Sequence, residues 1–140
     1  FESKTKKDTF VINFMSFGYK HGMPTEADWV IDVRFIPNPY YVSSLKRLTG
    51  NNKKVAQYVM KQDVTKEFVN RIQEIITRLV PCYVKEGKYS LTVAFGCTGG
   101  QHRSVYSAQH LAEHLNTKFG VKVHLVHREQ NIEQLFNPTL

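Results

Sequence analysis

Gly96-Cys97-Thr98-Gly99-Gly100-Gln101-His102-Arg103-Ser104 is the stretch on which the reading of this chain turns. The apolar run Leu91-Thr92-Val93-Ala94-Phe95 leads into it. Apolar residues at helical spacing, Val105, Ala108, Leu111, Ala112, Leu115 and Phe119, lead out of it. The pattern is strand, glycine loop, helix. Such a turn aims backbone N–H groups and the positive end of a helix at one point, which makes an anion site. Thr98, Gly99, Gly100, His102 and Ser104 are its candidate binding residues. Arg103, on the first helical turn, adds a planar guanidinium suited to bidentate contact with phosphate.

Outward from that loop, four strands are expected, near residues 10–17, 29–35, 89–95 and 121–126. Pro37 and Pro39 stop the second. A short helix is expected over Lys54–Met60. A longer one runs from Thr65 through Phe68, Val69, Ile72, Ile76 and Leu79 to Pro81, where a proline should end it. Residues 43–54, rich in Ser, Asn, Lys and Arg, read as a mobile basic loop. Residues 1–9 read as a linker, and 130–140 as a polar tail with some helical character. Strands and helices in this order predict one α/β domain, with a largely parallel sheet flanked by helices.

In such sheets ligands bind beyond the carboxyl ends of the strands. Each expected strand is followed there by polar or cationic residues: Tyr19, Lys20 and His21; Arg34 and Asn38; the glycine loop; and His127 with Arg128. A shared anion-binding cleft is the natural consequence. With 19 Lys and Arg against 12 Asp and Glu, the net charge of +7 also favours an anionic partner, whether a phosphorylated metabolite or RNA.

The chain of 140 residues is the size of one domain. No apolar run approaches the roughly 20 residues that span a bilayer. No charged-then-apolar leader opens the chain, so no membrane partner and a cytoplasmic location are expected. It begins with Phe1 rather than Met, and we expect a piece of a longer protein with a further domain before it. Two cysteines, Cys82 and Cys97, are too few for a disulfide framework. No Walker motif and no dinucleotide fingerprint occurs, and no cofactor is expected. His110 and His114, four apart, have a spacing that can hold zinc, but lack the accompanying glutamate and read as a solvated helix face, so no metal site is expected.

Cys97-x5-Arg103-Ser104 is similar to the phosphate loop of cysteine-dependent phosphatases, in which a thiolate attacks phosphorus. A catalytic alternative therefore uses Cys97 and Arg103 with Asp28 as leaving-group acid. Gly96 stands where such enzymes carry His.

A longer resemblance extends over about residues 10 to 129. Ser16–Gly22, Asp32–Pro39, Leu48-Thr49-Gly50 and Gly96–Val105, in this order and spacing, closely resemble the C-terminal domain of the RapZ family of RNase adapter proteins. The resemblance implies a non-catalytic regulatory domain that follows a Walker-type nucleotide-binding domain, forms dimers, senses glucosamine-6-phosphate and binds small RNA. It implies Thr98, Gly99 and Arg103 as contacts of the metabolite phosphate and Lys20 as an RNA contact. Tyr40 stands where the enterobacterial pattern has a ligand-contacting His; a phenol can hydrogen-bond a sugar but carries no positive charge. The family's basic C-terminal cluster corresponds here to Asn131–Phe136, which has no Lys or Arg. RNA affinity leans on phosphate neutralisation, so the metabolite site is carried over more fully than the RNA site. His21, Lys46 and Arg47 join Lys20 as candidate RNA contacts.

Overall fold

The computed structural model describes residues 10–138, and the expected linker at 1–9 lies outside the described residues. Strand β1 (Val11–Gly18) is the centre of a five-stranded sheet. Strands β2 (Trp29–Asp32), β3 (Ser90–Cys97), β4 (Lys122–His127) and β5 (Ile132–Phe136) complete it in the order β2-β3-β1-β4-β5. The first four strands are parallel, and β5 returns antiparallel to β4.

Register places apolar residues in rows across one face. Ile12 lies beside Leu91 and Val123, and Phe14 beside Val93 and Leu125. Helices α1 (Lys53–Lys61), α2 (Asp63–Lys85) and α3 (Arg103–Phe119) contribute Val55, Val59, Val69, Ile76, Leu111 and Leu115 to the same buried cluster. The next row breaks the apolar pattern: Ser16 stands beside Phe95 and His127, all of them buried. The chain is a single compact α/β domain with a mostly parallel sheet and, among the described residues, three α-helices.

Four local expectations are corrected. The second strand ends at Asp32 rather than Phe35. The backbone N–H of Arg34 turns onto Asp32 Oδ1 at 2.9 Å, which peels the chain from the ladder. Pro81 lies inside α2, which continues to Lys85. Proline removes its own N–H donor, but Val80 and Val84 pack against the core on either side and hold the helical path.

The segment 43–54 is a run of successive turns, Leu45 to Val42, Leu48 to Leu45 and Asn52 to Thr49. It is anchored by buried Leu45 and Gly50. The Gly50 N–H donates to the Gln101 carbonyl at 2.7 Å. A Cβ at residue 50 would overlap the His102 carbonyl and stand 2.6 Å from the Tyr106 nitrogen, so only glycine allows this approach.

The polar tail, finally, is strand rather than helix over Ile132–Phe136. Asn131, at φ 54°, supplies the left-handed residue that reverses the chain.

Candidate functional site: an acid-free cleft over the glycine loop

Strand β3 runs straight into the loop 98–102, and α3 begins at Arg103. Gly100 has φ 75°, and a Cβ there would lie 2.6 Å from the Gly18 nitrogen, so the loop closes on the end of β1 only with glycine. The Lys20 N–H donates to the Thr98 carbonyl at 3.2 Å and brings the residues after β1 to the same place. Asn38 positions the opposite wall by accepting the Tyr40 N–H at 3.0 Å.

These elements enclose a cleft of about 290 Å³ lined by Lys20, Asn38, Tyr40, Cys97, Thr98, Gly99, His102 and Arg103, with Tyr41 and Gln101. Of the residues expected to bind phosphate or sugar, six line it: Thr98, Gly99, His102, Arg103, Asn38 and Tyr40. Lys20, expected on the RNA surface, lines it too, and among the described residues no Asp or Glu does. Two lining residues were not among those expected: Tyr41, which follows Tyr40 in the turn 39–41, and Gln101, which lies within the loop motif itself.

Arg103 differs from its expected role. Its side chain is buried, and Nη1 donates to the carbonyls of Arg34 and Ile36 at 2.9 and 3.0 Å. One end of the guanidinium thus clamps the 34–36 turn to the loop. Nε is buried with no partner among the described residues. An unpaired buried donor is costly.

Cys97 is buried, with its sulfur 3.1 Å from the Ser104 hydroxyl. Burial alone would raise the thiol pKa, but the Ser104 hydroxyl and the N–H groups of Ser104, Gly100 and His102 hold it below its ordinary value. Ser104 is therefore spent on the sulfur and does not line the cleft. Gly100 likewise lies beneath the loop. His102 is held below its usual pKa by burial and by Arg103 beside it, against hydrogen bonds to Leu48 and Lys46. It lines the cleft as a neutral ring whose Nε2 is buried with no partner among the described residues.

Five other candidates stand outside. Arg34 pairs with Asp32 (Nη2 to Oδ2, 2.7 Å) and its guanidinium lies 4.1 Å over the Tyr19 ring. His21, Lys46 and Arg47 are exposed and do not line the cleft. Lys46 sits 4.7 Å over the Tyr40 ring. Asp28 precedes β2, at the opposite end of the sheet, bound to Lys88 at 3.2 Å and to the Thr92 N–H at 2.8 Å. The acid expected to serve phosphoryl transfer through Cys97 therefore does not line this cleft.

The cationic cluster expected after β4 also resolves differently. His127 is fully buried, accepts from or donates to Ser16 Oγ at 2.7 Å, and is pushed down to about 4 by burial. Arg128 pairs with Glu129 at 2.8 Å, and Glu129 in turn accepts the Gly18 N–H at 2.9 Å. This brace supports the end of β1 and offers no free cation to the cleft. Among the described residues, no group of His, Cys, Asp and Glu is placed to hold a metal ion, and no helix is long and apolar enough to cross a membrane.

A mostly parallel sheet whose strand ends carry a glycine loop and a cleft defines an α/β domain of the strand, glycine loop, helix type. Residues 10–131 match the model of the RapZ C-terminal domain, and the chain belongs to that family. It is 49% identical over 129 residues to a "nucleotide-binding protein" of Caldicellulosiruptor saccharolyticus, covering 92% of this chain and 44% of that protein. A protein of the same description from Clostridium botulinum is 50% identical over 125 residues, covering 89% and 42%. One from Bacillus licheniformis is 47% identical over 121 residues, covering 86% and 40%. The chain thus spans less than half the length of the curated relatives it matches.

Proposed function

We propose that this domain is a non-catalytic regulatory module that binds a phosphorylated amino sugar, glucosamine-6-phosphate being the reference ligand, in the cleft over the glycine loop. One observation carries the reading: Lys20 and Arg103 converge with Thr98, Gly99, Asn38 and His102 in a cleft that, among the described residues, no carboxylate lines. Phosphate is bound by Lys20 and the loop, with the spare Arg103 nitrogens completing its shell. Asn38, Tyr40 and His102 supply neutral donors and acceptors for sugar hydroxyls. The cleft volume of about 290 Å³ sits at the lower end of the range of roughly 300–1,000 Å³ typical of small-molecule sites. Occupancy is reported to the rest of a longer protein and, by the family resemblance, to a second copy of the domain.

Calorimetric titration with glucosamine-6-phosphate tests this. Thr98→Ala removes an exposed hydroxyl without touching the clamp and should weaken binding by about fivefold, one neutral hydrogen bond. Arg103→Ala should abolish it. Unchanged affinity in both variants would disprove the site.

A second reading, small-RNA binding, draws on two exposed cation–aromatic pairs, Arg34 over Tyr19 and Lys46 over Tyr40. Such pairs form stacking platforms for unpaired bases. Charge removal at Lys20, His21, Lys46 and Arg47 should then weaken an RNA gel shift at moderate salt. An unchanged shift removes this surface.

A further inference from the structure

The largest cavity among the described pockets is not the phosphate cleft. It is a cavity of about 470 Å³ between α3, the Gly50 turn and β5. The residues that matter in it are Asn51, Tyr106, Gln109, His110, Glu113 and Gln134. In a chain of net charge +7, no Lys or Arg among the described residues lines this cavity, and the one formal charge they bring to it is the Glu113 carboxylate. Burial lowers the His110 pKa, with His114 adding to the effect, so its imidazole is neutral at physiological pH. The Tyr106 phenol is pushed up to about 12 by burial and remains a neutral group.

The Glu113 carboxylate stands exposed at the rim of the cavity, at the end of a chain of hydrogen bonds that starts in the core. His127 and Ser16, both fully buried, are 2.7 Å apart through Nδ1 and Oγ. Because His127 is neutral, a Ser16 hydroxyl donating to Nδ1 leaves Nε2 protonated, and Nε2 stands 2.9 Å from Gln109 Oε1. That fixes the Gln109 amide. Its Nε2 then donates to Glu113 Oε2 at 2.8 Å and to Gln134 Oε1 at 3.3 Å. The aromatic rings do not offer a stacking face through His110, which is itself sandwiched between Tyr106 and His114 at 5.5 and 5.9 Å. What the cavity presents is an oriented carboxylate, amide oxygens and ring edges.

We infer that this cavity is a second ligand site, specific for a small organic cation bearing an ammonium or guanidinium group. A carboxylate whose geometry is set in advance favours bidentate or charge-assisted donors, and amide oxygens satisfy the remaining N–H groups. The same charge repels phosphates, so the two cavities of this domain select ligands of opposite sign. They share a wall. Gly50 lines the cation site and donates to the carbonyl of Gln101, which lines the phosphate cleft. Asn51 is bridged to Gln101 through Gln130.

Titration of the 140-residue chain with agmatine, followed by backbone amide NMR at physiological salt, tests the inference. Agmatine should shift Gly50, Asn51, Gln109, Glu113 and Gln134, while uncharged 1,4-butanediol shifts none of them. Glu113→Gln keeps an acceptor for Gln109 and should weaken agmatine by about tenfold, the loss of one charge-assisted contact. The same variant should bind inorganic phosphate as before. Shifts scattered over unrelated acidic side chains, or equal agmatine affinity in Glu113→Gln, would overturn the second site and leave the phosphate cleft untouched.

Discussion

The two cavities are built on the same helix and lead opposite lives. The cleft over the glycine loop takes six of its ten lining residues from the stretch 97–103, joined by Lys20 and the 38–41 turn, and its charged lining residues, Lys20 and Arg103, are cationic. The second cavity joins separate segments from Gly50 to Gln134, and among the described residues its only formal charge is acidic. Contiguity made the first legible in the sequence, whereas the second exists only because β5 folds back along β4. Their shared wall, Gly50 against the start of α3, is where the comparison can be broken most severely.

Gly50→Val should have the largest effect. Its side chain would have to occupy the space of the His102 carbonyl and the Tyr106 nitrogen. Overpacking against backbone costs about 1–3 kcal/mol or more, and both sites should weaken together with stability in urea unfolding. Next is the pH response of the buried chain that orients Glu113. His127 has a folded pKa of about 4, below its unfolded value of about 6.5. The unfolded chain therefore binds the proton more readily. Stability from this group is complete above about pH 6.5 and falls as pH drops towards 4, by roughly 3 kcal/mol in all. His127→Gln should flatten that part of the stability–pH curve; an equally steep curve in the variant would show that another group titrates.

Lys20→Ala should weaken phosphate by about tenfold, the usual scale of one charge-assisted hydrogen bond, and leave agmatine binding alone. Arg34→Ala should do least. Its guanidinium is half exposed, paired with Asp32 and outside the cleft. Exposed pairs contribute about 0–1 kcal/mol, so unfolding and phosphate affinity should barely change. A tenfold loss of phosphate affinity in Arg34→Ala would mean that the cleft extends further than its lining residues indicate.

Local pattern was enough to read the sheet and the loop. The strand β3 reads as an apolar run because it is buried over most of its length, and β1 and β4 read as strands because their buried positions alternate with half-buried ones. It failed where distant packing decides. Pro81 is a strong stop signal, yet Val80 and Val84 carry the helix past it. The 131–136 stretch looks polar, but Val123–His127 offers an unpaired edge and Asn131 the reversal that reaches it.

Within the site, residue types were readable and side-chain direction was not. Thr98, Gly99 and His102 line the cleft as their position in the loop suggests. Ser104 sits in the same motif, but one helical step turns it onto Cys97. Arg103 is half diverted to the carbonyls of Arg34 and Ile36, which no local pattern announces. His127 reads as a cation after a strand and is a buried neutral group because Ser16 and Gln109 enclose it.

The most direct test of the cleft is a titration with glucosamine-6-phosphate and, separately, inorganic phosphate, following backbone amide shifts by NMR. The account predicts shifts concentrated on Thr98–Ser104 and Lys20, with the sugar phosphate binding more tightly and adding shifts at Asn38 and Tyr40. No shifts in the loop, or equal affinity for phosphate alone with Asn38 and Tyr40 silent, would contradict a sugar-phosphate site.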